Sequence, residues 1–203
     1  MTNKGAGVTA ALEQAAAAAA YRDLNKKETL RLCLLAEEML GMLREITGET
    51  EAGFWLESQN KRFSLHLTAH PVITAAMRTE LLSVSTSGKN DAAVGFMGKL
   101  RDIMERAFDA TEVKDPSAYY LQGLLLSSSM EGLDPMTYSA GATMVTWSME
   151  KYKRTILEEK ENNAEAMQEW DELEKSIVAN LADEVRISLR GRDVELTVYK
   201  DFG

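Results

Sequence analysis

The sequence predicts an α+β protein: a two-layer sandwich of a mixed, mainly antiparallel sheet with helices on one face, plus a helical insertion. Three observations carry this. Apolar residues recur at three- and four-residue spacing between positions 30 and 46, the period of a helix with one buried face. They alternate at period two in Phe63, Leu65 and Leu67, and again in Val185, Ile187, Leu189, Val194, Leu196 and Val198, the period of half-buried strands. Between the two strand regions the spacing returns to the helical period.

In chain order, residues 1–8 lack apolar periodicity and read as a loose tail, and the alanine run 15–20 favours helix because alanine loses no side-chain entropy there. Leu32, Leu35, Ala36, Met39, Leu43 and Ile46 form the buried stripe of a second helix, which Gly48 is placed to stop. The alternation in 54–69, broken by the polar stretch 59–62, predicts an antiparallel hairpin. A mixed segment, 73–82, leads into a Ser-Gly-Asn-rich loop at 83–91 and a helix at 94–108. Asp115-Pro116 and Asp134-Pro135 each read as an N-cap followed by proline at the first helical position, where the missing N–H is not needed. Two helices are expected to start there, the second running through Tyr152 and Ile156. After Asn162-Asn163 a further helix is expected to bury Met167, Trp170, Leu173, Ile177 and Leu181. Gly191-Arg192-Asp193 turns the closing hairpin.

Composition removes several function classes. The 203 residues, 45% of them hydrophobic, suffice for a single core domain. With 23 Lys and Arg against 32 Asp and Glu, the net charge is −9, which disfavours a phosphate backbone or an anionic membrane as partner. No stretch approaches the roughly 20 strongly apolar residues of a membrane span, and the N-terminal alanine run lacks the pattern of a signal peptide, so the expected location is the cytoplasm. The lone Cys33 cannot form a disulfide framework and reads as a small buried hydrophobe. His66 and His70 have no third ligand at metal spacing. Ser127-Ser128-Ser129 lacks the glycines of a nucleophile elbow.

Glu37 sits four residues before Gly41 on the second helix, in Leu34-Leu35-Ala36-Glu37-Glu38-Met39-Leu40-Gly41. Thr68, His70 and Val72 leave the second strand of the first hairpin, and Ser85-Thr86-Ser87-Gly88-Lys89 precedes Gly95 and Gly98. This order resembles the Bergerat ATP-binding fold (GHKL) of histidine kinases and anti-sigma factors. There a helix carries a Glu and, four residues on, an Asn that holds magnesium. A strand then ends in Asp-x-Gly-x-Gly, whose Asp binds adenine, and a Gly-rich lid feeds a helix N-terminus that holds phosphate. The resemblance spans 28–112 and resumes at 182–203, leaving 113–181 as a helical insertion in one domain.

The resemblance implies Glu37 as general base and Lys89, Gly95 and Gly98 as phosphate contacts. The sequence departs from it at Gly41 in place of the Asn, at Thr68 in place of the Asp, and at His70 and Val72 in place of the two glycines. ATP and magnesium are therefore implied by kinship while their main ligands are replaced, and Glu37 and Glu38 equally suit a solvated helix face. Beside an unrelated small-molecule or structural protein, two readings stay open. One is a regulatory protein-binding module on a degenerate ATPase scaffold, with a sigma factor or an antagonist protein as the implied partner. The other is an ATP-dependent serine/threonine kinase of the anti-sigma-factor type. Met130, Met136, Met144, Met149, Trp147 and Tyr152 suit a partner or homo-oligomer surface in the insertion, or simply core filling.

Overall fold

A computed structural model describes residues 4–47, 51–69, 133–139, 142–161, 163–190 and 193–203. Two helices, α1 (Ala6–Tyr21) and α2 (Lys26–Thr47), open the chain. Gly7, Ala11, Ala15 and Ala19 recur every fourth residue as the buried face of α1. Side chains this small let the two helix axes approach closely, and Cys33 Sγ of α2 lies 4.0 Å from the Leu12 carbonyl of α1. Burial raises the Cys33 thiol pKa above its ordinary value, in keeping with a packing role.

The entry to α2 is fixed by a reciprocal cap. Asn25 Oδ1 accepts from the Lys27 and Glu28 amides at 2.9 and 3.0 Å, while Glu28 Oε2 accepts from the Asn25 amide at 2.8 Å. Two orphan donors of the first turn are thereby satisfied. The predicted stripe Leu32, Leu35, Ala36, Met39 and Leu43 is buried, and Leu40 and Met42 widen it.

The first hairpin forms as expected, from β1 (Ala52–Gln59) and β2 (Arg62–Ala69). Their eight residue pairs are in unbroken register, and Asn60 takes φ 55° in the two-residue turn, a conformation asparagine tolerates. The segments expected at 73–82 and 94–108, the helix start at Asp115, Ser127-Ser128-Ser129 and Met130 lie outside the described residues.

Asp134-Pro135 does not start a helix. It belongs to β3 (Leu133–Ser139), which pairs with β4 (Ala142–Ser148). Proline lacks the N–H for a central ladder but is tolerated in an edge strand, and β3 is an edge. Helix α3 (Met149–Glu159) begins only after Ser148, whose side chain accepts from the Lys151 amide. Residues 133–139 and 142–148 are therefore strands of the core sheet and not part of a helical insertion.

The chain continues through α4 (Ala164–Lys175), α5 (Ile177–Leu181), β5 (Glu184–Arg190) and β6 (Asp193–Asp201). In α4 and α5 the inward face is Ala166, Glu169, Leu173, Val178 and Ala179, whereas Met167 is 60% exposed and Ile177 46%. Of the expected stripe, Leu173 is buried and Trp170 and Leu181 pack against the core, while Met167 and Ile177 turn outward and a buried glutamate, which apolar periodicity does not count, holds a core position.

The six strands run in the order β1-β2-β6-β5-β4-β3, and every pairing is antiparallel. The expected sheet is thus antiparallel throughout its described pairs. The molecule is an α+β sandwich. Phe63, Leu65 and Leu67 of β2, Val194, Leu196 and Val198 of β6, Val185 and Ile187 of β5 and Trp147 of β4 form one apolar face that joins the buried residues of the helices in a single core. Among the described residues, no helix is long and apolar enough to cross a membrane.

Candidate functional site

Alternation along the strands that built the apolar face sends the intervening residues to the far side of the sheet. Register brings Trp55 of β1, His66 of β2 and Thr197 of β6 into one row across three strands. The Trp55 and His66 rings stack with centroids 4.9 Å apart and planes within 4°. His66 Nδ1 lies 3.3 Å from Thr197 Oγ1 and 3.4 Å from Glu195 Oε1. On the other side of the ring, Nε2 is buried without a hydrogen-bond partner, and Glu57 Oε2 stands 4.0 Å away.

This row does not make a hydrolase. A nucleophile–base–acid relay needs hydrogen-bond contact on both ring nitrogens and an accessible hydroxyl. Here the Glu57 contact is beyond hydrogen-bond range, and Thr197, at 6% exposure, is shut into the sheet.

Beside the row, toward the β1–β2 turn, runs a groove of ≈ 420 Å³ bordered by Glu57, Arg62, Tyr199 and Asp201. Arg62 Nε donates to Asp201 Oδ2 at 2.7 Å and Lys200 Nζ to Asp183 Oδ1 at 2.7 Å. Asp183 Oδ2 also accepts from the Asp201 amide at 2.6 Å. The Gly203 amide, and then Arg62, hold the Asp201 carboxyl below its ordinary pKa. The Arg186 guanidinium stands 5.2 Å from the Tyr199 ring centre. Arg62 and Lys200 are each already on a carboxylate, which makes the groove a poor match for a phosphate.

Of the residues singled out by sequence, Glu37 lies on the exposed side of α2, with no hydrogen bond or ion pair among the described residues. Glu38 beside it is half-buried. A Cβ added at Gly41 would meet nothing within 4 Å, so that position contributes no ligand atom and has room for one. Thr68 is on the far side of the sheet, paired with Gly53 and Glu195, whereas α2 packs against the apolar side. Glu37 and Thr68 are thus not brought together, and these two positions do not form a magnesium–adenine site. Lys89, Gly95, Gly98, His70 and Val72 lie outside the described residues. Among the described residues no group of three His, Cys, Asp or Glu is arranged to hold a metal ion.

The Trp55–His66–Thr197 row escaped sequence reasoning. Alternation put His66 on the polar side of its strand, but only the pairing of β2 with β6, 131 residues apart at His66 and Thr197, assembles the row. No protein-family model matches the chain, and neither a curated protein nor a solved structure matches it.

Proposed function

We propose that this chain is a regulatory, noncatalytic protein-binding module of the cytoplasm, on a scaffold related to the Bergerat ATP-binding fold with its nucleotide site degenerate. The observation that carries the reading is the separation of Glu37 and Thr68. One faces solvent from α2, the other lies across the sheet, and Gly41, one turn after Glu37, has no side chain to offer a metal. Catalysis of phosphoryl transfer rests on positioning a metal and a base around the phosphate, and these residues do not fit that group. What the fold offers instead is a sheet whose far side displays Trp55, Glu57, Arg186 and Tyr199, the mixed aromatic and charged chemistry of protein interfaces.

Calorimetric titration with ATP and ADP, with and without magnesium, tests this. No heat of binding up to about millimolar nucleotide, a threshold equivalent to roughly 4 kcal/mol of binding free energy, is the expected result. Magnesium-dependent binding in the micromolar range, together with a kinase activity that Glu37→Ala abolishes, would replace the module by the serine/threonine kinase reading.

A further inference from the structure

The two edges of the sheet are built differently. β3 carries Pro135, which has no N–H to donate, and its register with β4 shifts between Met136 and Ser139. Proline and bulges are the usual guards against strand addition. β1 has neither over its eight residues.

The outward groups of β1 can be assigned. A two-residue turn makes Gln59 and Arg62 a hydrogen-bonded pair. Alternation then points the N–H and C=O of Ser58, Leu56 and Phe54 away from β2. Arg22 agrees, since its Nη2 donates to the Ser58 carbonyl at 2.6 Å and its Nε to Ser58 Oγ at 2.9 Å. Arg22 thereby closes one end of the edge. The outward groups of Phe54 and Leu56 meet no partner among the described residues.

We propose that this open stretch of β1 docks an extended segment of a protein partner in which apolar residues alternate with Lys or Arg. The assignment rests on the protein-binding reading and names its surface and the chemistry it takes. A strand added beside β1 sets every second side chain next to Phe54 and Leu56, half-buried on the apolar side of the sheet. The intervening side chains fall next to Trp55 and Glu57. Glu57 is 70% exposed, and its ion-pair contact among the described residues is the His66 ring at 4.0 Å. A cation placed there meets a carboxylate and an aromatic face together, and the net charge of −9 attracts it. A second copy paired antiparallel about Phe54 would instead set Glu51 opposite Glu57, like charge against like.

The test is amide hydrogen exchange of the full chain with and without a blocked (Val-Lys)₄ peptide, alongside the same peptide N-methylated at alternate residues. At peptide concentrations about ten times its Kd, exchange at Phe54 and Leu56 is expected to slow about tenfold, and the methylated peptide should give no slowing. Glu57→Lys, at an exposed position, should weaken binding about fivefold. The assignment falls if neither amide is slowed at millimolar peptide, if the methylated peptide protects equally, or if Glu57→Lys binds as tightly as the wild type. It also falls if both amides are already protected without peptide in a dimer seen by sedimentation. Nucleotide binding in the calorimetry sinks the module reading by itself, whereas nucleotide silence with unprotected β1 amides removes only this surface.

Discussion

The two halves of the helical layer rest on one sheet but are held there by different forces. α1 and α2 meet through Ala11, Ala15 and Ala19 against an apolar stripe that includes Leu32, Leu35 and Met39, all at 1% exposure or less. The C-terminal helices are tied by buried polar groups. Glu184 Oε1 accepts from the amides of Met149, Glu150 and Val185 at 3.0, 3.4 and 2.9 Å, and Ser148 Oγ donates to the same carboxylate. A carboxylate at a helix N-terminus also favours the helix dipole. Tyr152 Oη donates to Glu169 Oε2 at 2.9 Å, joining α3 to α4, with Tyr152 and Glu169 at 1% and 5% exposure. Lys153 Nζ donates to the Ala179 carbonyl at 2.8 Å, and burial holds its ammonium below the usual lysine pKa, with Glu184 opposing that shift. The lesson is that the first half should be sensitive to volume and the second to the loss of single polar atoms.

That contrast can be broken at four places. The largest effect is expected at Leu35→Ala, where a fully buried side chain leaves a cavity between α2 and its neighbours. Urea unfolding should show a loss of about 3 kcal/mol. A loss below about 1 kcal/mol, less than one lost methyl group's effect plus its cavity, would mean that α1 and α2 collapse readily and are not held by shape.

Glu184→Ala should cost about 2 kcal/mol by leaving three amides without their acceptor. Glu184→Gln, which keeps an acceptor oxygen, should recover part of it. If the glutamine variant is no better than alanine, the charge and not the capping geometry carries the effect.

Tyr152→Phe preserves the ring packed on Trp147, 5.7 Å between centroids, and removes only the hydroxyl. About 1 kcal/mol is expected, and a neutral result would show that Glu169 is satisfied without it.

The smallest effect belongs to the exposed Asp201. Its folded-state pKa is depressed, so its contribution is present above the unfolded carboxylate pKa of about 4 and is lost as pH falls through the folded value. Wild type and Asp201→Asn should therefore differ in melting temperature at neutral pH and converge in acid. A difference that persists once the pH has fallen through the depressed folded pKa, where the aspartate is protonated and uncharged like the asparagine, would assign the effect to something other than the carboxylate.

Sequence pattern made much of this fold legible where one period dominates. The α2 stripe and the two hairpins, β1–β2 and β5–β6, follow from the positions of Leu32, Leu35, Leu65, Leu67, Ile187 and Leu196 alone. Pattern failed where a residue has two legitimate roles. Asp134-Pro135 suits a helix N-terminus and an edge strand equally, and only the pairing of β3 with β4 chose between them. Met167 fitted an apolar stripe until Glu169, satisfied by Tyr152, took a place in the core.

The candidate site was less legible. Glu37 was visible as a carboxylate on a helix, but whether it faced a pocket or solvent is a matter of helix rotation against the sheet. By itself the sequence determined the types and apolar faces of α2, β1, β2, β5 and β6 and the acidic character, because these depend on neighbours a few residues apart. The tertiary structure alone decided that β2 lies beside β6, that Trp55, His66 and Thr197 share a row, and that, among the described residues, the β3 edge carries a proline and a register shift while the β1 edge carries neither. Those outcomes depend on which distant strands exchange hydrogen bonds. Backbone hydrogen bonds are nearly the same for every residue type, so a one-dimensional pattern does not encode them.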